Sequence, residues 1–255
     1  MTKSTASSAS PRYSVVVPCF NEQDSIGPLV REIVAMIGGD EAFEIVIVDD
    51  CSVDQTMARL IDMREELVTD LRVVSHAVNC GQSAAVCTGV EVARGAWIAT
   101  LDGDGQNDPR DVAKLIGVLD EQLTSDTGPV VPPIICGHRL KRNDSWVKRL
   151  SSGFANGVRS RLLNDVTPDT GCGLKLMNRA AFLRLPRFDH MHRFLPALMQ
   201  REGAQVISVT VGHRPRRAGI SKYGIHNRLW VGIVDLVGVI WLGHRNFKPT
   251  DYKEL

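Results

Sequence analysis

Two carboxylates, Asp102 and Asp104, stand two positions apart in the run Asp102-Gly-Asp-Gly-Gln106. A glycine-rich turn can aim both at one small hard cation, and Gln106 offers a third oxygen. Mg2+ and Mn2+ take such ligands, commonly one or two carboxylates plus substrate phosphates. The ion would have an electrostatic purpose. A pyrophosphate facing bare carboxylates is repelled by about 4 kcal/mol per charge pair at roughly 4 Å and an effective dielectric near 20. A divalent cation reverses that sign and stabilises the charge on a departing diphosphate. Spaced aspartates also occur in solvated turns; this pair directly follows the apolar run Trp97 to Leu101.

Other acids and bases repeat the arrangement. Asp49-Asp50 closes Ile45-Val-Ile-Val48, and a carboxylate there can accept from a base N–H or a ribose hydroxyl. Asp54 is better placed to cap the helix that follows, which would leave Asp50 freer for a ligand. Glu22, after Pro18-Cys-Phe-Asn, either faces the same ligand or caps the first helix. Asn79-Cys-Gly-Gln-Ser83 opens a helix whose free N–H groups could receive an anion. Arg139 ends a further apolar stretch. Arg214-Pro-Arg-Arg-Ala-Gly-Ile-Ser-Lys222-Tyr223 forms a basic loop, in which Gly219 permits a turn that could gather Arg216, Arg217 and Lys222 around a phosphate.

The elements that must position these groups can be read from hydrophobic periodicity. Strands are expected at Tyr13 to Pro18, Phe43 to Val48, Leu71 to Ser75, Trp97 to Leu101 and Ile134 to Gly137. Helices are expected between them, over Ile26 to Ile37, Gln55 to Leu67, Ser83 to Ala93 and Val112 to Leu123. This alternation predicts an α/β fold with a mostly parallel sheet and helices on both faces. Ligands of such sheets bind beyond the carboxyl ends of the strands, where the motifs fall. After residue 140 the alternation weakens: a helix over Trp146 to Leu163, a glycine-rich turn over Asp169 to Gly173, a helix over Asp189 to Arg201 and a strand over Gln205 to Val211. The apolar run Leu229 to Leu242 would span roughly 21 Å as a helix, short of the ~30 Å hydrocarbon core of a bilayer. Trp230 and Trp241 lie near its ends, with Arg228 and Arg245 outside, which suits either a helix on a lipid surface or a buried core helix. The domain expectation is a tail at 1–12 without fixed structure, one catalytic domain at 13–225 and a surface helix with tail at 226–255.

Net charge is only +1, which argues against a nucleic-acid binder. The distribution is uneven: Asp40 to Asp70 holds ten acids and two bases, whereas Arg139 to Arg161 holds seven bases and one acid. The first half suits a cation and the later half anions. The six cysteines show no C-x-x-C pair and no zinc spacing, consistent with reduced thiols in a cytoplasmic protein. Met1 to Arg12 lacks the apolar core of a signal peptide. Neither G-x-G-x-x-G after the first strand nor a Walker pattern is present, which removes the usual dinucleotide and P-loop readings.

Taken together, Ser14-Val-Val-Val-Pro-Cys-Phe-Asn-Glu22, Val46-Ile-Val-Asp-Asp-Cys-Ser52, Asn79-Cys-Gly-Gln82, Asp102-Gly-Asp-Gly-Gln106 and Arg216-Arg-Ala-Gly-Ile-Ser-Lys-Tyr223 resemble family 2 glycosyltransferases of the dolichol-phosphate mannose synthase type, including bacterial polyprenyl-phosphate sugar synthases. The resemblance covers about residues 13 to 225. It implies a GT-A, Rossmann-like fold and inverting, metal-dependent transfer of a sugar from a UDP- or GDP-sugar to a polyprenyl phosphate. It implies that Pro18, Phe20, Glu22, Asp50 and Gly103 contact the donor, with Asp102 beside it and Asp104 and Gln106 on Mg2+ or Mn2+. Arg139 would meet donor phosphates; Lys148, Arg149, Arg216 and Lys222 would meet the acceptor phosphate. Asp102, Asp104, Arg139 and Arg216 form the implied catalytic set. The implied location is peripheral, on the cytoplasmic face of a membrane, with an integral-membrane partner as a further expectation. The sequence departs from the usual pattern at Gly103, where Ala is common, at Gly105, and over Asp169 to Lys175. The two glycines are expected to loosen the metal loop.

Three other readings stay open. A transferase acting on a hydroxyl acceptor would need a carboxylate base, for which Asp169 and Asp189 are the candidates. A sugar nucleotidyltransferase would want a glycine-rich phosphate loop after the first strand. A non-catalytic membrane-surface protein would not need an intact Asp102, Asp104 and Gln106.

Overall fold

The computed structural model describes residues 10–37, 43–67, 70–124, 130–139, 167–215 and 225–245, with the backbone alone at 225–230. Strand β1 (Tyr13–Cys19) is buried at all seven positions. A strand covered by helices on both faces must be apolar throughout rather than alternating. Val15 and Val17 face one layer, with α1 (Ile26–Ile37), α2 (Thr56–Glu66) and α4 (Arg110–Thr124). Val16 faces the other, with α3 (Gln82–Val92), α5 (Arg179–Leu183), α6 (Leu195–Arg201) and α7 (Ile225–His244).

The sheet has seven strands in the order β3-β2-β1-β4-β6-β5-β7. These are β2 (Phe43–Asp49), β3 (Leu71–Ser75), β4 (Trp97–Thr100), β5 (Ile134–Arg139), β6 (Lys175–Asn178) and β7 (Val206–Val211). All neighbouring pairs are parallel except those of β6, which runs antiparallel to both β4 and β5. The expected alternation through β5 is present, with boundaries within three residues. Elements β6 and α5 lie where no element was expected. A four-residue strand is too short for a period to register; Asn178 then caps α5 by accepting the Ala181 N–H at 3.1 Å.

Two further expectations need correction. The helix expected over Asp189 to Arg201 is a 3-10 turn at Met191–Arg193 followed by α6. Pro196 favours a helix start over a helix interior, and His190 sits left-handed at φ 62°. Helix α7 has 20 residues rather than the 14 of the apolar run, and it packs against the fold along one face only. Val239 is buried and Leu236 packs beside it, while Ile233, Val234, Val237 and Trp241 are exposed. No helix among the described residues is long and apolar enough to cross a membrane. At the other end, Arg12 already belongs to the fold: its guanidinium pairs with Asp120 and lies 4.9 Å over the Tyr13 ring. The helix expected over residues 146–163 lies outside the described residues. None of the six cysteines forms a disulfide, and Cys19, Cys87, Cys136 and Cys172 are buried.

Candidate functional site

At the carboxyl ends of β1, β2 and β4 the chain leaves a cavity of about 700 Å³. Pro18, Phe20, Glu22, Asp50, Asp102, Gly103 and Asp104 line it together. The loops after β1 and β2 are stitched to one another. Val53 N–H donates to Asn21 Oδ1, Asn21 N–H to Ser52 Oγ and Glu22 N–H to Thr56 Oγ1, each at 2.8 Å. Asn21 and Cys51 both hold positive φ to allow this. Helix α1 is started by the Glu22 carbonyl, which accepts from Ser25 and Ile26, while the Glu22 side chain lines the cavity.

Asp54 does start α2, accepting from Thr56 N at 2.9 Å, but Asp50 is not freer for it. The Asp50 carboxylate accepts from His76 Nδ1 at 2.7 Å, Cys80 N at 2.8 Å and Gly81 N at 2.7 Å. Two of the N–H groups expected to await an anion at the start of α3, those of Cys80 and Gly81, thus already hold one, because β2 and α3 meet there in space. Asp50, His76 and Cys80 are also the one group of three or more His, Cys and carboxylate side chains among the described residues whose ligand atoms lie close enough to share an ion. The direct His76–Asp50 hydrogen bond engages two of the atoms such an ion would require.

Asp102 is the most perturbed acid of the site. Burial first, and then the charge of Asp104, push its pKa up to about 6. Lys175, Arg139 and a 2.8 Å hydrogen bond from Gln82 Nε2 pull the other way. Its carboxyl group rests directly on Gly173, where a Cβ would come within 2.2 Å of Oδ2. Gly103 is also tight: a Cβ there would lie 2.9 Å from the Pro18 carbonyl oxygen and 3.0 Å from Cys19 Cβ. The expectation that Gly103 loosens the loop is therefore reversed, since the missing side chain lets the loop close onto β1. Gly105 supplies a left-handed turn at φ 71°, and Asp104 Oδ1 accepts the Gln106 N–H at 3.1 Å. Two carboxylates on one cavity wall, one of them protonated more readily because of the other, form a donor set that fits a hard divalent cation.

Arg139 is not among the residues lining the cavity. Its Nε and Nη2 hold Asp169 at 2.6 and 2.9 Å, with both side chains largely buried. Neither expected role, phosphate contact for Arg139 or general base for Asp169, could be read without seeing that these residues engage each other. Asp189, the other base candidate, lines the cavity with a largely exposed side chain. Gln106 does not line it. Lys148, Arg149, Arg216 and Lys222 lie outside the described residues. The chain does approach the metal loop just before Arg216, where the Arg214 N–H donates to the Gln106 carbonyl at 3.0 Å and its guanidinium pairs with Asp108 and Glu32.

Sequence reasoning gave Gln82 and Lys175 no role of their own and passed over His190 and His192; all four line the cavity. Lys175 is buried and donates to the Thr170 and Cys172 carbonyls; one base inside Gly173-Leu-Lys-Leu-Met177 was a usable signal. His192 is held to about 3, by burial first and then by the positive Arg193 and Lys175. Ser83 Oγ accepts the His192 backbone N–H at 3.2 Å and shares a hydrogen bond with Nδ1 at 2.7 Å. The ring is thus uncharged at neutral pH.

The family model of glycosyl transferase family 2 matches residues 14–185. Dodecaprenyl-phosphate galacturonate synthase of Rhizobium johnstonii is 35% identical over 245 residues, 94% of this chain and 69% of that protein. Undecaprenyl-phosphate 4-deoxy-4-formamido-L-arabinose transferase of Edwardsiella ictaluri is 30% identical over 213 residues, 83% of this chain and 63% of that protein. The chain thus spans about two thirds of the length of these relatives. Among solved structures, glucosyl-3-phosphoglycerate synthase from Mycobacterium tuberculosis, in complex with Mg2+ and uridine diphosphate, superimposes with a TM-score of 0.66. The identity is 18%, covering 91% of this chain and 79% of that one. At that identity the likeness concerns the fold, which is of the GT-A type.

Proposed function

The chain belongs to glycosyl transferase family 2, and from that premise we propose that it moves a sugar from a nucleotide-sugar to a polyprenyl phosphate, with inversion and with Mg2+ or Mn2+. The observation that carries this reading is the convergence of Glu22, Asp50, Asp102 and Asp104 from three strand ends on one cavity of about 700 Å³. Asp50 sits at the wall near the start of α3, where a base would lie. Asp102 and Asp104 would hold the cation, which supplies charge neutralisation to the diphosphate leaving group. Gln106 remains a further ligand to test. Lys175 places a buried positive charge on the same wall.

An acceptor phosphate oxygen is already anionic near neutral pH, so attack on the anomeric carbon needs no general base. Asp169, held by both nitrogens of the Arg139 fork, is poorly suited to act as one, which leaves Asp189 as the candidate base of a hydroxyl-acceptor reading. Catalysis then rests on positioning and charge stabilisation. The uncharged His192 ring is suited to a sugar hydroxyl, which can donate to it or accept from it. Lys148, Arg149, Arg216 and Lys222 are assigned to the acceptor phosphate and Arg139 to charge balance near Asp102.

Helix α7 supports a peripheral membrane location. Its exposed Ile233, Val234, Val237 and Trp241 would enter the headgroup boundary on the cytoplasmic face, bringing the cavity to the lipid acceptor. An integral-membrane partner remains part of this proposal. The test is a transfer assay with labelled nucleotide-sugars and a short polyprenyl phosphate, extracted into organic solvent. Metal-dependent label in the lipid phase, abolished by Asp104→Ala, is expected. Nucleoside diphosphate release only with a soluble hydroxyl acceptor would replace the reading with the hydroxyl-acceptor one, with Asp189 as base.

A further inference from the structure

A carboxylate offers about four acceptor positions, two on each oxygen. At Asp50, His76 Nδ1 and Cys80 N fill both positions of Oδ1, and Gly81 N fills one of Oδ2. The carboxylate only accepts, so Nδ1 carries the proton, and the imidazole is pinned from its far side by Thr88 Oγ1 at 2.9 Å from Nε2. The Asp50 side chain is 5% exposed, and it lines the cavity. One acceptor position, on Oδ2, is therefore left for a ligand.

The pairing edges of the nucleobases differ in what they ask of that position. Uracil presents one N–H, at N3, flanked by two carbonyls. Guanine presents two adjacent donors, N1–H and the 2-amino group, which a carboxylate satisfies by using both oxygens. With Oδ1 filled, guanine would leave its 2-amino group unpaired against a buried wall. An unpaired buried donor weakens binding on the order of 10- to 100-fold.

We propose that His76, clamped between Asp50 and Thr88, sets the base specificity of the donor site and makes it a site for uridine rather than guanosine nucleotides. This rests on the nucleotide-sugar reading of the cavity. His76 acts through Asp50 as a positioning residue, by consuming the oxygen that a second base donor would need.

The experiment is calorimetric titration of the full chain with UDP, GDP and inosine diphosphate in Mg2+. Inosine diphosphate differs from GDP only in lacking the 2-amino group. The expected order is UDP tightest, GDP weaker by roughly tenfold or more, and inosine diphosphate recovering most of the difference from GDP. That comparison uses the unmodified chain and does not depend on any variant folding. His76→Leu opens Oδ1 and should raise GDP affinity several-fold while UDP changes little; His76→Gln, which keeps a donor, should restore discrimination. Equal affinity for UDP and GDP, inosine diphosphate binding as poorly as GDP, or His76→Leu weakening both nucleotides in the same ratio would overturn the proposal while leaving the donor site intact. Binding of none of the three would remove the nucleotide reading itself, and this proposal with it.

Discussion

Replacing Asp102 by Asn should stabilise the chain while ending its activity. Burial and the charge of Asp104 raise the pKa of Asp102 from 3.8 to about 6. The folded chain then binds more protons than the unfolded chain between those values. Stability therefore falls as pH rises through this window, and the full penalty persists above it. Two pH units at about 1.4 kcal/mol each give a ceiling of ~3 kcal/mol. Asn keeps the oxygen that accepts from Gln82 but places an amide beside Gly173, where the carboxyl group now packs. An imperfectly satisfied amide costs about 1 kcal/mol, which leaves a gain of ~2 kcal/mol. For a chain of this size that is about 4 to 8 °C in Tm. The assay is thermal unfolding in EDTA at pH 7.5 and pH 4. The variant should melt above the parent at pH 7.5 and slightly below it near pH 4, where Asp102 is protonated in the parent and only the amide cost remains. A variant melting at or below the parent at pH 7.5, or still above it at pH 4, would refute the reasoning.

Gly173→Ala should displace the Asp102 carboxyl group, because a Cβ would fall 2.2 to 2.4 Å from three of its atoms; transfer activity should fall by about 100-fold or more, while unfolding shows a loss of only ~1–3 kcal/mol. Arg139→Ala leaves Asp169 charged and buried without its fork and should cost about 3–5 kcal/mol in denaturant unfolding, with Arg139→Ala/Asp169→Ala recovering most of it; an unchanged midpoint with lost activity would instead make Arg139 a phosphate contact. Val237→Asp with Trp241→Asp should abolish flotation with anionic vesicles and leave UDP titration unaltered, since both side chains are exposed on α7 away from the cavity lining.

The parts of the site that were legible in the sequence are those fixed by one strand and its own following loop. Val46-Ile-Val-Asp-Asp50 and Ala99-Thr-Leu-Asp102 are apolar runs ending in acid, and buried parallel strands have to end where the chain can turn toward solvent. The illegible parts depend on which distant segments meet. Asp50 looked available because its three donors come from His76, Cys80 and Gly81, about 30 residues away. Arg139 and Asp169 are likewise 30 residues apart, on opposite sides of a long connection. Strand β6 is antiparallel between β4 and β5, and no periodicity within Lys175–Asn178 could announce it. Through that strand Lys175 and Gly173 come to lie against Asp102, so the missed element is also the one that creates the most perturbed acid.

The same geometry explains why a buried carboxylate is tolerated there. Full burial alone would neutralise Asp102, and a neutral acid would have little attraction for a cation. Lys175, Arg139 and Gln82 offset part of the desolvation, and the balance holds the pKa near 6 rather than higher. At neutral pH the group is ionised yet poorly solvated, so the folded chain carries a penalty that a bound cation would relieve. Lys175 cannot relieve it entirely, since its ammonium is also bound to the Thr170 and Cys172 carbonyls. Removing that ammonium should therefore raise the Asp102 pKa further, toward neutrality, and make cation binding fall off at a higher pH. Lys175→Met, titrated with Mn2+ at pH 6 and pH 8, should lose affinity chiefly at pH 6; equal loss at both pH values would mean that Lys175 shapes the loop rather than the charge.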